Sequence, residues 1–263
     1  MPKLTHRPAQ IFAPMSSGAS HRLPHAAATV AVRGNDALAR ELALPIACDD
    51  TACDFLLTWT DSALELRDLR EPKLNPLRVD FSDVELRPYA AGLSRRQPLA
   101  RAIGKYQLVA DASAGLGQDA LRLALMGFRV TAIERSRVVA ALLADGLRRL
   151  DEQHALHGRL RLLTGDAREL LATLQPRPEV VYLDPMFPEK RRRTAAVRKE
   201  LKWLRELVGD DPDALELFDA ARRTATHRVV VKRPDHAPPL VPRPAASIVG
   251  KLVRYDVYST RIG

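Results

Sequence analysis

The stretch Val181-Tyr-Leu-Asp-Pro-Met-Phe-Pro188 gathers a carboxylate, free carbonyls and an aromatic ring into a short span. Pro185 and Pro188 lack backbone N–H groups and fix their own φ, so the segment cannot continue as strand or helix. Asp184 and the Pro185 carbonyl can accept the two N–H groups of an amine, and Phe187 can stack on a flat base. Together they suit chemistry on the exocyclic amino group of a nucleobase. Lys190, Arg191, Arg192 and Arg193 follow at once, and Lys232 and Arg233 close a later apolar run. Beside a base pocket such charge would meet RNA phosphates and make binding salt-dependent. The plainer alternatives are a proline-rich loop with one exposed acid, and a solvated positive helix face.

Four acids, Asp111, Glu134, Asp166 and Asp184, each stand at or just past an apolar run. Gly115 and Gly117 follow the first, and glycine lets backbone turn sharply and approach a ligand closely. The free N–H groups of the helix that follows suit a carboxylate or phosphate. A carboxylate at Glu134 can accept both hydroxyls of a ribose, and Asp166 can take an adenine amino group.

Two cofactors fit this constellation. Gly115 to Ala120 satisfies G-x-G-x-x-A, the mark of a nicotinamide-dinucleotide site. Asp111, however, would repel a pyrophosphate, and neither the proline-framed loop nor the basic surface has a duty in hydride transfer. S-adenosyl-L-methionine answers all three objections, because it carries a cationic amino-acid group and no phosphate.

These residues need a scaffold that brings strand ends together. Short apolar runs at Leu108–Asp111, Arg129–Glu134, Leu160–Thr164, Val180–Leu183 and Val229–Lys232 alternate with helical patterns from Gln118, Ser136 and Ala167. That rhythm predicts an α/β, Rossmann-like, doubly wound and mainly parallel sheet. Ligands bind such sheets at the carboxyl ends of the strands. Leu252 to Tyr258 reads as a final strand, antiparallel and at the sheet edge.

Ahead of this unit lies a small β-rich extension. It has a strand at Val30–Val32, a helix capped by Asn35, a hairpin from Phe55 to Arg67 and an alternating segment from Leu77 to Phe81. Arg87 to Gly104, with Arg95 and Arg96, is either a basic segment that contacts phosphates or covers a cofactor, or an ordinary linker. The expected division is a flexible tail over 1–28, the extension and linker over 29–104, and the main domain over 105–263.

The chain of 263 residues carries a net charge of +9, which favours a nucleic acid among polyanionic partners. No apolar run is long enough to span a membrane. The basic first residues lack an apolar segment after them, which argues against a secretory leader. Two cysteines are too few for a disulfide framework, and no histidine spacing suggests a metal site. These readings place the protein in the cytoplasm.

Asp111-Ala-Ser-Ala-Gly-Leu-Gly117 resembles the first motif of class I adenosylmethionine-dependent methyltransferases, and Asp184-Pro-Met-Phe-Pro188 resembles their amine-methylation motif. The run from Glu71-Pro-Lys-Leu74 through these motifs, Glu134-Arg135 and Val229-Val-Val-Lys-Arg-Pro-Asp235 is similar to the RsmJ family. Those enzymes methylate the N2 amine of a guanosine in bacterial 16S rRNA. The resemblance implies cofactor contacts at Gln118 and Asp119, Glu134 and Arg135, Asp166 and Ala167, and Asp184. It implies 16S rRNA or the small ribosomal subunit as partner. Ser113 departs from the general methyltransferase pattern, which has glycine there, and Met186 stands where that pattern has a second proline. The alternatives are a DNA adenine or protein amide methyltransferase, and a non-catalytic RNA-binding protein.

Overall fold

The structure is a computed structural model that describes residues 28–47, 53–82, 93–151, 156, 158–185, 202–203, 205–207, 209 and 211–260. Residues 1–27 of the expected tail lie outside these residues, as do Met186, Phe187, Lys190, Arg191, Arg192 and Arg193; Ala28, its last residue, donates its N–H to the Glu206 carbonyl at 3.4 Å.

Seven strands form the main sheet. They are β4 (Leu108–Asp111), β5 (Arg129–Glu134), β6 (Leu160–Thr164), β7 (Val180–Leu183), β8 (Arg228–Pro234), β9 (Ala246–Val249) and β10 (Val253–Ser259). Their order is β6-β5-β4-β7-β8-β10-β9. The first five run parallel, and β10 is antiparallel to both of its neighbours. β7 is buried along its whole length, as a strand covered on both faces must be. The sequence reading put the last strand at the sheet edge. Instead β10 lies one place in, and the short β9 forms the edge.

Helices cover both faces. On one side α2 (Pro98–Ile103), α3 (Gln118–Leu125) and α4 (Arg137–Asp151) join a large apolar core that includes Ile103, Leu121, Phe128 and Leu142. On the other, α5 (Ala167–Leu170), the 3-10 turn Leu171–Thr173 and α6 (Ala214–Thr224) pack Leu171, Phe218 and Ala221 against Val181 and Val229. The sequence departs in opposite directions from β4, to β5 on one side and to β7 on the other. The crevice between β4 and β7 is therefore the switch point where α/β sheets bind ligands.

The N-terminal extension is a separate three-stranded sheet, β1 (Val30–Arg33), β2 (Phe55–Trp59) and β3 (Leu64–Asp68). Asn35 caps α1 (Asp36–Leu42) by accepting the Leu38 N–H at 2.9 Å. Leu77, Val79 and Phe81 are buried alternately, as their pattern predicts. They form no strand, however, because only a single bridge, Leu77 to Leu66, pairs them. The small sheet is pinned to α4 by Asp145, which accepts the Leu64 N–H at 3.0 Å. Phe55 meets Trp203 edge-on, with ring centroids 5.7 Å apart.

Arg95 braces the fold. It donates to the Met126 carbonyl at 3.2 Å, and its guanidinium lies 4.1 Å from the centre of the Phe128 ring.

Candidate functional site

A cleft of about 550 Å³ opens at the carboxyl ends of β4, β5, β6 and β7. Its size suits a nucleoside with an amino-acid tail, within the range of roughly 300–1,000 Å³ usual for small-ligand sites.

One wall is the turn after β4. The Ala114 N–H donates to the Ile133 carbonyl at 3.0 Å, and the Gly117 N–H donates to the Ala114 carbonyl at 2.8 Å. Gly115 and Gly117 both hold positive φ, at 53° and 78°. A Cβ at Gly117 would stand 2.4 Å from Leu143, whereas one at Gly115 would meet nothing within 4 Å. Gly117 thus permits α3 to pack, and Gly115 keeps the cleft wall thin.

Glu134 braces this turn. Its two oxygens accept the N–H groups of Gly115 and Ser136, each at 2.8 Å. Burial pushes its pKa up against the lowering effect of those bonds. Each oxygen keeps a further lone pair, so the carboxylate fits a pair of ribose hydroxyls.

Asp111 is buried beneath the turn, and burial raises its carboxyl to about 8, reinforced by the nearby charges of Asp119 and Asp184. The Ser113 N–H donates to it at 3.2 Å. A cation arriving there would favour the ionised form.

Asp166 and Ala167 line the cleft, and so do Gln118, Arg135 and Asp119. Asp166 caps α5, and both of its oxygens are held by Arg168. Burial alone would raise its pKa, but the Arg168 bonds and charge hold it below the usual range. Its lone pairs are already shared with Arg168, so any amine that it accepted would be bound beside that guanidinium. Arg135 forms ion pairs with Asp211 and Asp213 at the rim.

The opposite wall is the end of β7. Pro185 is buried, and Asp184 lines the cleft with its side chain 39% exposed. The Asp184 N–H donates to the Ser113 hydroxyl at 2.6 Å. The serine that departs from the glycine pattern therefore joins the two loops. Pattern reading cannot find this bond, because its residues lie 71 positions apart.

Lys232 and Arg233, read from the sequence as phosphate contacts, stand in two different settings. Lys232 points into the cleft, its Nζ 2.7 Å from Asp119 Oδ2 and 2.8 Å from Asp184 Oδ2. Burial would lower its pKa, but those two carboxylates outweigh it, and the ammonium is held above its usual range. Asp119 also accepts the hydroxyl of the buried Tyr182 at 2.6 Å, a contact the sequence did not announce. Burial would raise Asp119, and Lys232 brings it below the ordinary value. Arg233 is only 6% exposed and donates Nε to the Pro238 carbonyl at 2.9 Å. Successive strand residues point to opposite faces, so the two neighbours turn different ways, Lys232 to the cleft and Arg233 to the Pro238 carbonyl.

Among the described residues no cluster of ligating side chains could hold a metal ion. None of the described helices is long and apolar enough to cross a membrane.

Residues 37–260 match a family described as "Putative SAM-dependent methyltransferase". The ribosomal RNA small subunit methyltransferase J of Thioalkalivibrio sulfidiphilus is 45% identical over 236 residues, covering 86% of this chain and 92% of that protein. Its namesake in Edwardsiella ictaluri is 48% identical over 225 residues, covering 81% and 88%. Among solved structures, a SAM-dependent methyltransferase from Neisseria gonorrhoeae superposes with a TM-score of 0.66 at 31% identity. The match covers 88% of this chain and 96% of that one.

Proposed function

The chain belongs to the family of the ribosomal RNA small subunit methyltransferases J, and from that premise we propose that it methylates the N2 amine of a guanosine in 16S rRNA. S-adenosyl-L-methionine is the methyl donor, and it supplies an electrophilic carbon when bound. The observation that carries the reading is the 2.6 Å bond from the Asp184 N–H to Ser113, which ties an amine-accepting loop to the glycine turn of one cleft.

The protein's own groups do the rest. Gly115 and Glu134 shape the nucleoside end of the cleft, and Asp111 offers a buried carboxyl that an arriving cationic group would ionise. Asp184 and the Pro185 carbonyl accept the two N–H groups of the target amine. Guanine's amino lone pair is delocalised into the ring, and holding both N–H groups favours a more localised pair. The nitrogen would gain the methyl carbon as the carbon–sulfur bond breaks, its electron pair staying on the donor's sulfur as a neutral thioether, and would then shed one proton along its hydrogen bond to Asp184, and from there to water. No strong base is needed first, because the nitrogen turns acidic only as the nitrogen–carbon bond forms. Much of the acceleration comes from alignment, which can supply about 7–11 kcal/mol in well-oriented reactions. Phe187 would stack on the base, worth roughly 1–3 kcal/mol. A guanosine within a helix must first be flipped out.

On this reading residues 105–263 carry the transfer and residues 29–104 help dock the substrate. The reaction belongs in the cytoplasm, and Lys190 to Arg193 meet RNA phosphates. Labelled methyl donor offered with small ribosomal subunits, DNA and protein tests the proposal. Label entering rRNA alone supports it, and label entering DNA or protein instead refutes it.

A further inference from the structure

Asp184 does not face the cleft alone. The Lys232 ammonium sits beside it at 2.8 Å, with its side chain 23% exposed and lining the same cleft. Lysine side chains are usually mobile on their four-carbon stems. This one is tethered from two sides, by Asp184 at the end of β7 and by Asp119 in the first turn of α3. The Tyr182 hydroxyl steadies Asp119 in turn. An ammonium has three N–H groups and no acceptor. Two are taken by these carboxylates, and the third has no partner among the described residues.

We propose that Lys232 is a specificity-determining residue that, side by side with Asp184, reads the edge of the target base. The inference rests on the guanine reading above and deepens it. The carboxylate offers two acceptors, and the neighbouring ammonium offers a donor. Guanine presents the complement in the same order, with N–H at the 2-amino group, N–H at N1 and a carbonyl at O6. The second amino N–H is left for the Pro185 carbonyl. Adenine presents an unprotonated N1 beside an amino group, so an acceptor would face Asp184 and an N–H would face Lys232. Lys232 cannot adapt, because the two flanking carboxylates keep it charged and a charged lysine never accepts.

The test replaces the target guanine by 2,6-diaminopurine in an rRNA fragment spanning the modified position. That base keeps the 2-amino group and the stacking surface, but it exchanges O6 for an amine and N1–H for an acceptor. For the unaltered protein, kcat/KM should fall on the order of 100-fold, the scale of leaving buried donors and acceptors unmatched. Lys232→Met should be slower on guanine and should narrow the guanine-to-diaminopurine ratio to about 10-fold or less. Lys232→Arg, which keeps the donor, should retain most of the ratio. A merely structural lysine would lower both rates together and leave the ratio unchanged.

Melting and donor-binding titrations establish that each variant is folded. If Lys232→Met does not fold, the unaltered protein and Lys232→Arg still decide the matter. Equal use of both bases by the unaltered protein, or loss of the ratio in Lys232→Arg, overturns the inference. An undiminished ratio in Lys232→Met overturns it as well. Failure of the unaltered protein to methylate guanine RNA at all overturns the function itself, so the two failures are told apart.

Discussion

The backbone N–H of Asp184 donates to the hydroxyl of Ser113 at 2.6 Å, joining the loop after β7 to the loop after β4. The two halves of the proposed reaction depend on those loops, and a shift of about 1 Å in aligned groups can cost on the order of 100-fold in rate. Ser113→Ala should lower kcat by about tenfold while the donor's dissociation constant changes less than about threefold. Single-turnover rates beside a calorimetric titration check this. An equal loss of donor affinity and rate would show that Ser113 serves the cofactor side alone.

The two glycines of the turn should respond differently. Gly117→Ala adds a positive-φ penalty to a clash at 2.4 Å with Leu143, so about 2–4 kcal/mol of stability should go. Gly115→Ala bears only the φ penalty of about 1–2 kcal/mol, but its methyl would stand in the cleft wall. Denaturant titrations should rank Gly117→Ala as the less stable variant. Donor titrations should show weaker binding in Gly115→Ala. The reverse ranking of stabilities would contradict the packing described.

Asp111 gives a pH dependence of definite sign. Burial raises its pKa from 3.8 to about 8, so between those values the folded state keeps a proton that the unfolded chain releases. Its contribution is complete below the lower value and is lost as pH rises toward the higher one. Asp111→Asn keeps the shape without the titration. The stability of the unaltered protein relative to that variant should fall steadily from pH 5 to pH 8, as followed by urea unfolding. A constant difference would mean that Asp111 is ionised in the fold throughout.

The small sheet is held to the main unit through Asp145, which is 4% exposed and also binds Arg148 and Arg149, each at 3.0 Å. Asp145→Ala strands the Leu64 N–H and removes one partner from each of two cations. A loss of about 3 kcal/mol should follow, with exchange of the β2 and β3 amides accelerated most. Uniform acceleration across the protein would show that the small sheet does not open by itself.

The sequence made the sheet legible because its strands are short apolar runs that end in acids. Asp111, Glu134 and Asp184 could be placed on one edge for that reason, and all three line the cleft. The edge strand β9 escaped notice because Ala246–Val249 is only four residues long and mostly exposed, with Ile248 alone packed against the core. The settings of Lys232 and Arg233 were not legible because charge does not reveal which way a strand residue points. The one turned inward to Asp184 and the other to Pro238. Ser113 looked like a defect in a motif, and its partner became visible only when β4 and β7 lay side by side. Asp166 kept its place at the cleft, but Arg168, two residues on, was not recognised as its clamp.

The most direct test is single-turnover transfer of labelled methyl to small-subunit rRNA, followed by nucleoside analysis, for the unaltered protein and for Asp184→Asn. The variant is isosteric at a half-exposed position, so folding and donor binding should persist. Label should enter N2-methylguanosine with the unaltered protein, and the rate should be lower by about 1,000-fold or more in Asp184→Asn. Label in any other nucleoside, or an undiminished rate in the variant, would contradict the proposed function.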